Sequence, residues 1–346
     1  MDLKKATMRD VARLAGVAVG TVDRYLNGSG YISDAKRDCV RRAVEELRYV
    51  PNKAARALSR GSAINIGMIF PNVEESFWQQ IEHGSKRAAK EYEAYGLQIH
   101  RIRLNEYNVE MQLKAIDELV SKNNVQGIAM VPVHESRINE AISRLADDGI
   151  PVVTFDSDAP LSRRICFIGE DSRKGGEIAA RVMALLLHEN GKIAVFRGQR
   201  NLFAVTQRIV GFGQKIAEYP YVHVAAEYDI YDESYDYKRR LRDVIKMNFP
   251  DDRIKGIFVT NATVDMVAET LAESGLAGVY KIVGFDLTNE TRKLLKDNVI
   301  SATVCSDTER QGYLAVRVLY DRIARGIIPE NIYRYTEFQL LLKELL

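Results

Sequence analysis

The sequence predicts a small all-α head followed by a larger α/β core of two doubly wound, parallel-sheet lobes. The first fifty residues hold a glycine-broken pair of short helices and no strand pattern. From Ile64 onward, short apolar runs alternate with amphipathic stretches, which is typical of strands and helices in parallel sheets. About nine such strands in about 280 residues are many for one sheet, which favours two lobes.

The head contains a pattern typical of a helix-turn-helix unit. Thr7 is a suitable N-cap, and Asp10 lies near the positive end of the first helix. Gly16 allows a sharp turn, and a second short helix ends at Asn27-Gly28, before a longer helix over about 34–48. The second helix of such a unit can enter a DNA major groove. On spacing alone, an ordinary helical domain is an equally good interpretation.

The charge distribution favours DNA binding by the head. The whole chain of 346 residues has a net charge of +2, but residues 1–62 hold 13 basic and 7 acidic side chains, a net of +6. The remaining residues hold 36 basic and 40 acidic side chains, a net of −4. A basic head on a mildly acidic core confines phosphate attraction to the head.

Several classes of protein are not supported by the sequence. An apolar N-terminal run and a stretch of about 18 apolar residues are both missing, so we expect neither a signal peptide nor a membrane span. Cys39, Cys166 and Cys305 are widely spaced, which predicts reduced thiols and no metal site. Phosphate-loop, zinc-protease and serine-hydrolase motifs are missing. We therefore expect a cytoplasmic protein with no catalytic residues, metal or cofactor.

Polar side chains recur where the predicted core strands end. In doubly wound sheets, ligands bind beyond the carboxyl ends of the strands. Asp158 and Asp307 at this edge are interpreted as helix caps. The ligand candidates at the strand ends are Asp156, Asn261, Asp286 and Ser306, and the aromatic candidates that open the first core helix are Phe77 and Trp78.

The N-terminal stretch resembles the LacI/GalR family of bacterial transcription regulators. The matching residues are Asp10-Val-Ala, Ala15-Gly-Val, Thr21-Val, Arg24, Leu26-Asn-Gly28, Ser33, Val44, Leu47, Tyr49, Pro51-Asn52, Ala55 and Leu58. The resemblance implies that Val19 and Gly20 face base edges and that Arg24 binds guanine, or else a phosphate. It also implies that Leu58, on a hinge helix, wedges into the minor groove rather than merely packing the linker. The full implied DNA-binding set is Thr7, Val19, Gly20, Thr21, Asp23, Arg24, Asn27, Tyr49, Asn52, Ala55 and Leu58.

Asp23 departs from the pattern of this family. Relatives usually carry Ser just before the arginine, and a carboxylate near DNA phosphate is unfavourable. We hypothesise that Asp23 orients Arg24, with acceptance from cytosine as the alternative.

The core resembles the periplasmic sugar-binding-protein fold (type I) that the same family fuses to its head. The markers are Phe77-Trp78, Gly149-Ile-Pro-Val-Val-Thr-Phe-Asp156, Gly175-Gly176, Arg208-Ile-Val-Gly-Phe212, Asn261 and Val283-Gly-Phe-Asp286. The predicted domains are a head at 1–50, a hinge at 51–62 and a core at 63–346. Lobe one is predicted at about 63–157 and 306–332, and lobe two at about 158–305 and 333–346. The chain crosses between lobes near Asp158, Cys305 and Ile332.

The resemblance also implies an effector site between the lobes. Carboxylates accept from sugar hydroxyls, arginine donates, and aromatic rings cover apolar sugar faces. Ala262 and Ser306 stand where relatives often have Asp and Gln, so the effector class stays open among a sugar, a polyol and a sugar phosphate. A core role is the alternative for Trp78. The implied effector residues are Phe77, Trp78, Asp156, Arg208, Asn261, Asp286 and Ser306.

Together these features predict a ligand-responsive transcription regulator, most simply a repressor. The C-terminal segment 336–346 is too short for a stable coiled coil and fits a final strand, so we expect a homodimer that reads a pseudo-palindromic operator. The alternatives are a periplasmic solute-binding protein and a sugar-converting enzyme with a fused head.

Overall fold

The computed structural model describes residues 6–27, 31–47, 49, 63–72, 75–105, 108–188, 191–198, 202–230, 237–250 and 253–346. The proposed hinge residues Asn52, Ala55 and Leu58 lie outside the described residues.

The head is formed by three helices, α1 (Met8–Ala15), α2 (Val19–Asn27) and α3 (Asp34–Glu46). The Thr7 side chain accepts from the Asp10 amide while the Asp10 carboxylate accepts from the Thr7 amide, a reciprocal cap that fixes the start of α1. Gly16 ends α1 with a φ of 64°, where a side chain would be strained. The core of the head consists of Val11, Ala12, Val22, Val40, Ala43 and Tyr49.

Lobe one is a six-stranded parallel sheet covered by helices. Its strand order is β11-β5-β4-β3-β1-β2. The strands are β1 (Ile64–Pro71), β2 (Leu97–Leu104), β3 (Gly127–Met130), β4 (Val152–Phe155), β5 (Cys166–Gly169) and β11 (Tyr333–Tyr335). The helices are α4 (Glu75–Tyr92), α5 (Val109–Ser121), α6 (Ser136–Asp147) and α12 (Thr308–Arg325).

Lobe two repeats this arrangement. Its order is β12-β10-β9-β8-β6-β7, and the described pairs are parallel except β10 with β12. The strands are β6 (Gly191–Arg197), β7 (Val222–Asp229), β8 (Ile254–Val259), β9 (Lys281–Phe285), β10 (Ala302–Ser306) and β12 (Phe338–Leu341). The helices are α7 (Ser172–Leu187), α8 (Phe203–Ile216), α9 (Tyr237–Asn248), α10 (Val264–Glu273) and α11 (Asn289–Lys296). The predicted head-plus-two-lobe fold class is confirmed, and so is the final strand.

Two of the predicted crossings between lobes are wrong. Strand β5 pairs with β4, so the chain stays in lobe one through Gly169 and crosses at Glu170, not near Asp158. Strand β11 pairs with β5, so the last crossing follows Tyr335, later than Ile332. The sheet assignments therefore give lobe one residues 63–169 and about 307–335, and give lobe two residues 170–306 and 337–346.

Glycines allow close helix crossings in both lobes. A Cβ at Gly84 of α4 would lie 1.8 Å from the Glu309 carbonyl oxygen of α12. A Cβ at Gly211 of α8 would lie 1.9 Å from the Arg173 carbonyl oxygen of α7. Both contacts involve backbone, so neither can be relieved by a side-chain rotation. Along the described chain, we find no helix with the length and apolarity needed to cross a membrane.

Candidate functional site

Helix α2 presents an exposed row on the surface of the head. Val19 is 42% exposed, a Cβ added at Gly20 would meet nothing within 4 Å, and Arg24 is exposed one turn later. The Arg24 Nε donates to the Gly20 carbonyl at 3.1 Å, so a backbone oxygen holds this guanidinium. The role of Asp23 in orienting Arg24 stays a prediction.

Other members of the DNA-binding set have structural positions in the head. Thr7 caps α1, whereas Thr21 and Tyr49 are buried at 8% and 9% exposure. Asn27 is the last residue of α2. Thr21 and Tyr49 are therefore poorly placed for contact with a base edge, and their part in DNA binding stays a prediction.

Two aspartates occupy equivalent places at the interlobe edge. Asp156 follows β4 and Asp286 follows β9, and each of these strands is third in the order of its own sheet. Both have left-handed backbones, with φ of 60° and 70°. Each amide donates to the neighbouring strand, Asp156 to Ile168 and Asp286 to Val304. The strand ends therefore position both carboxylates by the same backbone geometry.

Arg208 brings the charges of the site together. Its Nε and one terminal nitrogen lie 2.8 and 2.7 Å from Glu170 Oε1, and its other terminal nitrogen donates to the Thr260 carbonyl at 2.9 Å. The guanidinium also lies 3.9 Å from the centre of the Phe285 ring. Arg208 and Glu170 are 4% and 2% exposed. Glu170 could not be identified from the sequence, because it directly follows β5, a four-residue strand that the apolar pattern did not reveal.

Burial makes the two aspartates weak acids. Burial raises the pKa of Asp156 to about 7, although Arg208 opposes this rise, and Glu170 adds to it. Burial likewise raises the pKa of Asp286 to about 8, against the effect of Arg208 and with the help of Glu170 and Asp156. These mutual effects place the four charged groups in one electrostatic cluster.

Phe77 and Trp78 lie in the apolar core of lobe one, which extends to the facing lobe. They are 4% and 3% exposed, and their rings meet edge to face at 4.9 Å. Trp78 also stacks on Phe70 at 6.0 Å, which supports the core role, but its Nε1 has no hydrogen-bond partner among the described residues. The same cluster includes Leu202, Val205 and Ala262 of lobe two.

Asn261 and Ser306 have local partners at the same edge. Asn261 Oδ1 accepts from the Thr263 hydroxyl at 2.6 Å, and Asn261 is 8% exposed. The Ser306 hydroxyl accepts from Gln311 Nε2 at 3.0 Å. Both side chains are therefore held in place before any ligand arrives.

The two aspartates interpreted as caps have different roles. Asp307 caps α12 by accepting from the Arg310 amide at 2.9 Å, as predicted. Asp158 instead forms a two-point ion pair with Arg164, in which one contact is 2.6 Å and the other, from Nε, is shorter. Both side chains are about 5% exposed or less, so this pair is a buried part of lobe one.

The lobes contact each other around the charged cluster. Gln80 of α4 donates to the Leu287 carbonyl at 3.0 Å, and the Ala204 amide donates to the Ser157 hydroxyl at 3.3 Å. The rings of His134 and Phe203 lie 5.3 Å apart across the gap. The structure therefore shows the lobes in contact with each other.

A cavity of about 230 Å³ lies beside this cluster, next to strands β5 and β11. Its wall includes Glu170, Asp171, Phe203, Tyr333 and Tyr335. Glu170 thus contacts Arg208 and also forms part of the cavity wall.

Comparisons with known proteins agree with both parts of the fold. The model for bacterial regulatory proteins of the lacI family matches residues 7–52, and a periplasmic binding protein domain model matches residues 66–326. The sucrose operon repressor of Streptococcus mutans serotype c is 28% identical over 289 residues, covering 82% of this chain and 83% of that protein.

Two further similarities extend this result. The transcriptional repressor PurR of Mannheimia succiniciproducens is 24% identical over 324 residues, covering 92% of each chain. The solved glucose-galactose binding protein GanP of Geobacillus stearothermophilus has a TM-score of 0.72 at 24% identity, covering 82% of this chain and 98% of that one. The last similarity concerns the fold of the core.

Proposed function

Since the chain belongs to the lacI family of bacterial regulatory proteins, with a periplasmic binding protein domain as its core, we propose that it is a repressor controlled by a carbohydrate-like effector bound between its lobes. The observation that carries this proposal is the cluster of Asp156, Asp286 and Arg208 where the strands of both lobes end. The carboxylates accept from ligand hydroxyls and Arg208 donates, while Phe77 and Trp78 offer apolar surface.

The head supplies the DNA contacts in this proposal. Val19 and Gly20 approach base edges, and Arg24 binds guanine, which is worth about 1–3 kcal/mol of discrimination. Two heads of a homodimer bind the two halves of a pseudo-palindromic operator in the bacterial cytoplasm.

The ligand acts by stabilising one relative position of the lobes. A ligand that contacts Asp156 of lobe one and Asp286 of lobe two favours the closed arrangement, in which Gln80 meets Leu287. A change of lobe angle then alters the distance between the two heads. Such coupling is typically about 1–3 kcal/mol and acts equally in both directions.

The experiment begins with DNA selected from a random pool by the full chain. Titration by fluorescence anisotropy should show salt-sensitive binding that one small molecule changes. Arg24→Ala should weaken binding and relax sequence preference, whereas the charge-matched control Arg42→Ala on α3 should leave the preference intact. Binding without any sequence preference, or turnover of the ligand, would count against a repressor and favour the enzyme alternative.

A further inference from the structure

One carboxylate oxygen beside the interlobe cluster has no donor in the described chain. Glu170 is 2% exposed, and its Oε1 binds Arg208, but its Oε2 has no hydrogen-bond partner. Glu170 lines the cavity of about 230 Å³, a volume equal to about eight liquid waters. Because an unpaired buried carboxylate oxygen is costly, this position favours a donor, supplied by ordered water or by a ligand.

The cavity wall is suited to a cation. Phe167, Phe203, Tyr333 and Tyr335 all line it. The faces of such rings attract positive charge. Tyr333 already holds the Arg164 guanidinium 4.8 Å from its ring centre, so the wall accepts cations in this structure.

Acidic side chains outnumber basic ones at the cleft and cavity. The acidic residues described there are Asp156, Asp158, Glu170, Asp171 and Asp286, and the basic ones are Arg164, Arg173 and Arg208. Arg164 is committed to Asp158, and exposed Arg173 donates to Gln214 at 2.5 Å. Arg163 pairs with Asp147 on the surface. None of these described cations is free to bind a phosphate group, which disfavours a phosphate-bearing ligand.

We infer that the effector carries a positively charged amino group, which lies in the cavity and donates to Glu170 Oε2, on a hydroxylated skeleton that donates to Asp156 and Asp286. The ligand class is therefore an amino sugar. This inference rests on the proposed function, because it assigns the ligand of the same interlobe site.

A neutral sugar is the competing ligand. A hydroxyl could satisfy Glu170 Oε2, but it would place no positive charge against the aromatic wall or beside the Glu170 carboxylate. An ammonium group supplies up to three donors and one positive charge, and it also gains from the aromatic wall. The charge on nitrogen therefore decides between the two classes.

The test is calorimetric titration of the full chain near pH 6.5, where the amine is charged. The probes are D-glucosamine, D-galactosamine and D-mannosamine, each with its neutral parent hexose and its N-acetyl derivative. We expect at least one amine to bind ten or more times more tightly than both of its uncharged counterparts. Equal or tighter binding of a parent or N-acetyl sugar, or no binding by any amine, would overturn the inference.

Two variants test which residues recognise the positively charged amino group. Glu170→Gln should weaken amine binding at least ten times more than it weakens neutral-sugar binding, while the control Glu273→Gln, an exposed carboxylate on α10, should change neither. Tyr335→Leu leaves the Glu170–Arg208 pair in place and should weaken amine binding about threefold. If Glu170→Gln fails to fold, the effect of Tyr335→Leu on amine binding still tests the inference.

Failure of this inference is distinguishable from failure of the proposed function. If a neutral sugar binds and changes DNA affinity, the repressor proposal stands and the amine assignment is wrong. If the chain shows no sequence-dependent DNA binding, the proposed function itself is wrong.

Discussion

Asp286→Asn should stabilise the protein while abolishing its response to effector. Asp286 is 5% exposed, and its pKa is raised from 3.8 to about 8. Asn is nearly the same size and tolerates the left-handed backbone at this position, where φ is 70°. The substitution therefore removes the titrating charge with little change in shape or backbone strain.

The magnitude follows from proton linkage. Between about pH 5 and pH 7 the carboxyl of Asp286 is ionised in the unfolded chain and protonated in the folded one, so the folded state holds more protons. The stabilisation from the protonated Asp286 carboxyl is fully present below about pH 4 and is lost as the pH rises toward 8. Each pH unit in this interval lowers the free energy of unfolding by about 1.4 kcal/mol. From pH 5 to pH 7 the wild type should therefore lose about 3 kcal/mol of stability, whereas Asp286→Asn should not.

Urea denaturation at pH 5, 6 and 7 measures this difference. Trp78, the one tryptophan in the chain, is buried in lobe one and reports unfolding of the core by fluorescence. Asp243→Asn, an exposed carboxylate on α9, is the control and should follow wild type. Parallel pH profiles for Asp286→Asn and wild type would refute the argument that burial of this carboxyl opposes folding.

Three further predictions concern the core and the hinge. Gly211→Ala should cost about 1–3 kcal/mol by forcing α7 and α8 apart, whereas Gly213→Ala two residues on, with open space, should be neutral or stabilising by up to about 1 kcal/mol, as measured by urea denaturation. Asp158→Asn should cost about 3–5 kcal/mol because it leaves the Arg164 charge buried and unpaired, and a melting temperature within a degree of wild type would contradict this. Leu58→Ala should weaken operator binding in gel shifts and leave effector binding unchanged, and equal operator affinity would exclude minor-groove insertion.

The order of the longer helices and strands could be predicted because their apolar patterns are clear in the sequence. Strand β1 has eight residues, seven of them buried, and its apolar run is clear in the sequence. Strand β5 has four residues and follows a polar, charged stretch, and β11 has three residues of which two are exposed, so neither gives a long apolar run. Both were therefore missed, and the two misplaced lobe crossings are a direct consequence.

The candidate site was predictable only in part, for the same reason. Asp156 and Asp286 follow clear apolar strands, so their shared location could be inferred from the sequence. Glu170 follows the missed strand β5 and precedes the helix cap Asp171, so no clear apolar strand marks its place at the sheet edge. Its pairing with Arg208 joins residues 38 positions apart, which no local pattern reveals.

The duplicated lobes explain why the charged residues accumulate at one place. Equivalent strand orders bring Asp156 and Asp286 to facing edges, each held by an amide bond to the next strand. The duplication does not extend to Arg208 and Glu170, which lie on α8 and on the crossing into lobe two. Lobe two and its crossing thus hold most of the polar groups, while lobe one contributes Asp156 and the aromatic pair Phe77 and Trp78. Asp156 and Asp286 lie in one cluster only when both lobes meet, so a ligand that contacts both of them favours this lobe arrangement over an open one. This difference in contacts gives the lobe angle its dependence on the ligand.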